Sequence, residues 1–220
     1  LVRAEEGDIP SIVATADLYY YGARGLPRDH VKARSMFLRA ADLGDVIAAN
    51  GIGNMMLKGE GGPKNITGAI KYYEHAAAEN HLNALNGLGF IYFYGQSEDY
   101  SDSNGNPIIY AKNQTKAFEY FKRAVDHNTD GDSYFNLGYI YESGSGISKN
   151  NDLARLYYGK GVKIGHFDSI CAFGRMAAEG TGTTRSAKDA LYYLNHVAEL
   201  GPWHGWIRRG LDIYLTAQTS

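Results

Sequence analysis

Cysteine and clustered charge are both scarce in this sequence, and each absence narrows what the chain can be. A single cysteine, Cys171, excludes an internal disulfide framework. Large helical proteins are stable without bridges, so an oxidising compartment remains open. No apolar run reaches the 18 residues of a membrane-spanning helix. Lys and Arg number 22 against 24 Asp and Glu, with no basic block, which argues against binding to a phosphate backbone. The patterns H-E-x-x-H, S-x-x-K and G-x-S-x-G are missing. Histidines 30, 75, 81, 127, 166, 196 and 204 are scattered, none at a helical metal-ligand spacing. The sequence therefore implies no catalytic residue set, no metal and no cofactor.

What the chain does have is periodicity. Glycines follow apolar stretches at Gly22, Gly59, Gly95, Gly144 and Gly180, spaced 37, 36, 49 and 36 residues apart. Eleven residues before each stand Ser11, Ala48, Ala84, Ser133 and Ser169; six before stand Ala16, Gly53, Gly89, Gly138 and Gly174. Three before come Tyr19, Met56, Tyr92, Tyr141 and Ala177. Two small positions followed by a mostly bulky one make a helical stripe that admits a neighbouring helix closely. A second stripe follows each glycine. It starts at Ala33, Ala69, Ala117, Ala154 and Ala190, with apolar or small residues three, four, seven and eight positions on, the pattern of a core-facing amphipathic helix. Most of the aromatic residues in this second helix are among the chain's 18 tyrosines.

The ends of the second helix are marked chemically. Four residues before each alanine are Asp29, Asn65, Asn113, Asn150 and Ser186, side chains that accept hydrogen bonds from the orphan amides of a first turn. Eleven after are Gly44, Asn80, Asn128, Gly165 and Gly201, which tolerate the left-handed conformation that closes a helix. A lone helix pair cannot bury both faces, so pairs must stack. The expected fold is all-α, a right-handed α-solenoid of about five helix pairs at about 8–44, 45–80, 81–128, 129–165 and 166–201. A sixth, terminal helix at 203–216 carries Gly205, Gly210 and Ile213 at the same offsets. The third pair holds about twelve extra residues, read as an inserted polar loop at 97–112 with an Asn104-Gly105 turn and an extended tail, Ile108-Ile109-Tyr110. That tail is a candidate docking element.

The link between the two helices reads Gly22-Ala-Arg-Gly25-Leu-Pro-Arg-Asp29, Gly59-Glu-Gly61-Gly62-Pro-Lys-Asn65, Gly144-Ser-Gly146-Ile-Ser-Lys-Asn150 and Gly180-Thr-Gly182-Thr-Thr-Arg-Ser186. With a period near 36, it resembles the Sel-1-like repeat family, relatives of the 34-residue tetratricopeptide repeat with a longer, glycine-bearing turn. The resemblance covers about residues 8 to 215. Within that family, Leu18 to His30 and Ala178 to Ser186 are similar to the eukaryotic Sel-1-like adaptors of endoplasmic-reticulum-associated degradation. This narrower likeness implies an adaptor in the endoplasmic reticulum lumen, with a membrane ubiquitin ligase and misfolded glycoproteins or lectins as partners. The chain starts at Leu1-Val2-Arg3 without an initiator methionine and is read as a piece of a longer protein whose anchor lies elsewhere. The alternative is a Sel-1-like scaffold in another compartment: cytoplasmic, bacterial, or a regulator of a cell-wall synthase. An enzyme acting on β-lactams is disfavoured by the missing S-x-x-K.

Three sets of residues carry functional expectations. Asn65-Ile66-Thr67 and Asn113-Gln114-Thr115 are N-glycosylation sequons, although both asparagines also fill the helix-cap column. By likeness to tetratricopeptide proteins, a partner-binding groove would be lined from the first helices by Asn50, Asn54, Asn86, Phe90, Phe135, Asn136, Tyr139 and Arg175. Asparagine there offers a peptide backbone both a donor and an acceptor. Finally, Trp203 and Trp206 stand at the end of the array, where a second copy of the chain would cover an open face and form a homodimer.

Overall fold

The computed structural model describes residue 4 and residues 7–101, 107–127 and 130–199. Trp203, Trp206 and the terminal helix at 203–216 lie outside the described residues, as do Asn128 and Gly201 of the helix-closing column and the Asn104-Gly105 turn. Among the described residues there are ten long helices: α1 Ile9–Tyr21, α2 His30–Asp42, α3 Val46–Lys58, α4 Ile66–Ala78, α5 Leu82–Tyr94, α6 Gln114–His127, α7 Gly131–Ser143, α8 Asn151–Lys163, α9 Phe167–Glu179 and α10 Ala187–Glu199. They pack as consecutive pairs, each second helix also meeting the first helix of the following pair within its unit. The fold is an α-solenoid of helix pairs. The chain divides into two compact units, Leu1–His127 and Asn128–Ser220.

Start and stop chemistry acts as the columns indicate. Asp29, Asn65, Asn113 and Asn150 each accept from the amide three residues on, at 2.9, 2.6, 3.0 and 3.0 Å. The Ser186 hydroxyl oxygen accepts from the Asp189 amide at 3.2 Å. Each such bond satisfies a first-turn donor and contributes about 1 kcal/mol. The first helix of each pair has a cap column of its own, fourteen residues before the anchor glycine. Asp8, Asp45 and Asp130 accept there at 3.1, 2.7 and 3.1 Å, and the His166 ring accepts at 3.3 Å. His81, the fifth member, makes no cap bond.

In the first unit the core is built by aromatic rings laid against glycine. Tyr73 of α4 is fully buried. A β-carbon on Gly53 of α3 would stand 2.8 Å from its ring, and one on Gly87 of α5 would stand 2.8 Å from the other end of the ring. One ring thus fills a space cleared by its own pair and by the following one. Phe37 meets Gly51 of the following pair in the same way, and Phe121 lies against Gly89. The bulky column three before the anchor stacks beside these rings: Tyr92 on Tyr120, centroids 5.8 Å apart. Polar ties accompany the packing. Arg34 donates to the Glu60 and Pro63 carbonyls at 3.1 and 3.0 Å, and Arg123 donates to Asn80 Oδ1 at 2.7 Å.

The inserted segment is not simply a loop. Its stem forms an antiparallel hairpin, β1 Gln96–Ser101 with β2 Pro107–Tyr110, pairing Gln96 with Tyr110 and Ser97 with Ile109. Contacts with the preceding pair hold the stem: Lys64 Nζ donates to Gln96 Oε1 at 3.0 Å, and the Thr67 and Tyr110 hydroxyls share a hydrogen bond. Tyr110 also packs against the apolar core, so of the three tail residues Ile109 is the exposed one.

The second unit repeats the scheme. Tyr158 of α8 is fully buried, 2.7 Å from where a β-carbon on Gly138 would stand. Its hydroxyl donates to Glu142 Oε2 at 2.9 Å, and Tyr141 stacks on Tyr157 with centroids 5.6 Å apart. Burial raises the pKa of several phenols: Tyr20 and Tyr72 are each pushed up to about 12, helped by hydrogen bonds to Glu60 and Asp42, and Tyr73 and Tyr158 go higher. A raised folded pKa favours the neutral phenol in the native state. The stability tied to it is therefore intact below the unfolded value near 10 and is lost as pH rises toward and past 12. Urea midpoints are expected to be flat from about pH 7 to 9 and to fall steeply above about pH 10.

Candidate protein-docking cleft

The first helices of the first three pairs enclose a cleft of about 320 Å³ in the first unit. α1 supplies Asp17, Tyr20 and Tyr21; α3 supplies Ile47, Asn50, Gly51, Asn54, Met55 and Lys58; α2 and α5 add Phe37 and Asn83. These positions come together because successive helix pairs repeat one arrangement, with α3 also meeting α5, so one helical face after another contributes to a shared surface.

The floor is polar. Asn50 is only 9% exposed, and its buried Oδ1 has no hydrogen-bond partner among the described residues. An orphaned buried acceptor costs on the order of 1–3 kcal/mol. Asn54 is held by its Oδ1, which accepts from the Tyr73 hydroxyl at 2.8 Å. The core ring at the heart of the repeat packing thereby also fixes a cleft side chain. Asp17 stands at the side of the cleft, and partial burial of its carboxylate pushes its pKa above the usual value. The lips are apolar and wet: Tyr21 is 66% and Ile47 61% exposed. Tyr20 is tied down from two sides, stacking on His30 with centroids 4.9 Å apart and donating to Glu60 Oε2 at 2.8 Å.

The other sequence-derived groove positions fall elsewhere. Asn86 and Phe90 lie on α5, where Phe90 is exposed and packs on Tyr94 with centroids 4.8 Å apart. In the second unit, Phe135 and Asn136 lie on α7, with Phe135 turned into packing against Tyr158 and His166, and Tyr139 is exposed nearby. Arg175 donates both to Glu142, at 2.7 Å, and to Glu179, at 3.1 Å, so its guanidinium is engaged within the chain. Sequence columns brought Asn50 and Asn54 to the cleft but missed Asp17, Tyr20, Tyr21, Ile47, Lys58 and Asn83. Both sequon asparagines cap helices through Oδ1; Asn113 is exposed and Asn65 half-buried.

One constellation looks catalytic on paper. Asp132 Oδ1 lies 3.1 Å from His166 Nε2, and His166 Nδ1 lies 2.9 Å from Ser169 Oγ. Ser169 is fully buried, however, and its hydroxyl is pressed against the backbone of Gly161, where even a β-carbon would overlap it. A nucleophile needs room for a reacting atom beside it, and none exists here. The trio fastens α7 to α9 and caps α9. Among the described residues, no three His, Cys, Asp or Glu gather as a metal site, and no helix is long and apolar enough to cross a membrane.

Comparison with known proteins follows this geometry pair by pair. The Sel1 repeat family model matches residues 11–45, 46–81, 82–128, 131–166 and 171–202. The chain belongs to the Sel1 repeat family. Human protein sel-1 homolog 2 is 37% identical over 131 residues, covering 59% of this chain and 17% of the relative. The Arabidopsis thaliana protein named ERAD-associated E3 ubiquitin-protein ligase component HRD3B is 27% identical over 148 residues, covering 67% of this chain and 15% of the relative. This Sel1 repeat chain thus spans about a sixth of the length of those curated relatives. Among solved structures, a Sel1 repeat protein from Oxalobacter formigenes superposes with a TM-score of 0.74 at 27% identity, over 88% of this chain and 72% of that one. A protective antigen of uropathogenic Escherichia coli superposes with a TM-score of 0.75 at 23% identity, over 90% of this chain and 39% of that one, and so shares the fold.

Proposed function

We propose that this Sel1 repeat chain is a non-catalytic docking scaffold and serves as an adaptor segment in endoplasmic-reticulum-associated degradation, joining misfolded glycoproteins or their lectins to a membrane ubiquitin ligase. One observation carries the reading. The repeat match runs through nearly the whole chain, and a relative matching two-thirds of it is named as a component of such a ligase rather than as an enzyme. Supporting it, the first unit offers a cleft with a polar floor and exposed apolar lips, suited to a polypeptide. The Ser-His-Asp trio has no space for a substrate.

The compartment follows from the same reading: the endoplasmic reticulum lumen, with Asn65 and Asn113 as glycan acceptors. Capping through Oδ1 is compatible with modification, since the glycan attaches to the amide nitrogen. Expressed through a secretory host, the chain is expected to gain mobility on a gel after glycosidase treatment, and Asn113→Gln should remove one glycan step. Affinity capture of the full-length protein from its own cells tests the function. Recovery of a membrane ubiquitin ligase is the expected result; recovery of cytosolic partners alone overturns the reading and favours a scaffold in another compartment.

A further inference from the structure

The inserted hairpin leaves an apolar hollow beside one of the two sequons, and what covers it rests on the reading of Asn113 as a glycan acceptor. The hollow, of about 400 Å³, lies between the end of α5 and the hairpin stem, with Tyr94, Gln96, Ile109, Tyr110 and Lys112 in its lining. Two of these are large apolar groups in water: Tyr94 is 53% and Ile109 66% exposed. Phe90 and Phe93 hold the Tyr94 ring, with centroids 4.8 and 4.9 Å away. Tyr110 is half-buried and its hydroxyl is bonded to Thr67, so it ties the stem to the preceding pair.

The sequon is fastened at the same place. The Asn113 amide donates to the Tyr92 carbonyl at 2.8 Å, two residues before Tyr94. A β-carbon on Gly95 would stand 2.9 Å from the Tyr110 carbonyl oxygen and 3.2 Å from the Lys112 side chain, so the strand leaving the hairpin runs against the end of α5. Lys112 lines the hollow and immediately precedes Asn113, and one residue of chain spans at most about 3.6 Å. Asn113 is exposed. Its Oδ1 accepts from the Lys116 amide, and a glycan joins the other atom, the amide nitrogen. Tyr92 is already engaged, stacking on Tyr120 with Lys116 Nζ over its ring at 5.0 Å.

We propose that the first sugars of a glycan on Asn113 fold back over Tyr94 and Ile109, so that the chain's own carbohydrate, and not a partner protein, covers this hollow. A pyranose has a face of C–H groups, which the electron-rich face of a tyrosine ring attracts while the sugar hydroxyls stay in water. N-acetylglucosamine adds an acetyl methyl, which gains by leaving water beside Ile109. The sugar is tethered next to the hollow, so its local concentration is high and weak contacts suffice. Left bare, an exposed apolar patch invites association with other proteins. The Tyr21 and Ile47 lips of the cleft stay open to a polypeptide, whereas the hairpin side is closed.

The test uses the 220-residue chain, secreted with Asn65→Asp, which keeps a capping oxygen but removes that sequon. The host is fed N-acetylglucosamine with a carbon-13 acetyl label, and an endoglycosidase trims the glycan to its first sugar. The acetyl methyl resonance is expected upfield of its position in the urea-unfolded glycoprotein, displaced by the Tyr94 ring current. Tyr94→Ala, at an exposed position, should return it to the unfolded position with the circular dichroism spectrum unchanged. An undisplaced methyl, or a displacement that survives Tyr94→Ala, would overturn the proposal while leaving Asn113 a glycan acceptor. No glycan on Asn113 would overturn both. An undisplaced methyl together with self-association that Tyr94→Ala abolishes would give the hollow to a second copy of the chain. Recovery of a ligase by the full-length protein would stand in every case, so failure here is distinguishable from failure of the adaptor reading.

Discussion

Tyr73→Ala is expected to destabilise the first unit by about 4 kcal/mol, the range for removing a fully buried aromatic side chain. The ring is completely enclosed, with the backbones of Gly53 and Gly87 against it and its hydroxyl bonded to Asn54. Glycine is the smallest residue, so those helices cannot grow side chains inward to fill the gap, and collapse would require moving two helices. Tyr73→Phe removes only the hydroxyl and should cost about 1 kcal/mol. Tyr21→Ala, at a position 66% exposed, should stay within about 0.5 kcal/mol. Urea unfolding of the three variants, followed by circular dichroism, reads this ordering. A Tyr73→Ala cost no greater than that of Tyr21→Ala would contradict the glycine-sandwich account of the packing.

Gly61→Ala should be more damaging than Gly25→Ala by at least about 2 kcal/mol, although both replace a glycine in the same kind of turn. Both have positive φ, +70° and +82°, and for any other residue that conformation alone costs about 1 kcal/mol. Gly25 has open space around it, whereas a β-carbon at Gly61 would overlap the carbonyl oxygen of His30 at the start of the preceding second helix. Backbone cannot swing aside as a side chain can. The same contact recurs in the second unit, where a β-carbon at Gly182 would stand 2.6 Å from the Asn151 carbonyl. The second glycine of the turn is thus where one helix pair seats against another, a reason for its repetition that turn geometry alone does not supply. Equal melting temperatures for the two variants would remove that role.

The folding of each pair was legible because its determinants are short-range and recur. Small and bulky columns, cap residues and closing glycines sit at fixed offsets, and repetition separates them from coincidence. The cap column of the first helices recurs at an equally fixed offset, but it mixes three aspartates with two histidines, and histidine is a weak capping signal. The hairpin was hidden for a different reason. Gln96 to Ser101 has little strand propensity, and its stem is fixed by Lys64 and Thr67 of the preceding pair. Of the cleft, Asn50 and Asn54 followed from likeness to a related repeat. Asp17, Tyr21, Ile47 and Asn83 come from three different helices, and a column taken one helix at a time does not reveal which neighbours will share a surface. Phe135 and Arg175 occupy groove columns as well, yet their partners Tyr158, Glu142 and Glu179 depend on packing that the columns do not specify.

The most direct test of docking in the cleft is photo-crosslinking in the protein's own cells, with a photoreactive residue placed at Tyr21 on the lip or at Val31 on α2, both about two-thirds exposed. A polypeptide adduct at the Tyr21 position, and none at the Val31 position, is the predicted result. Adducts at the Val31 position alone, or at neither, would contradict it.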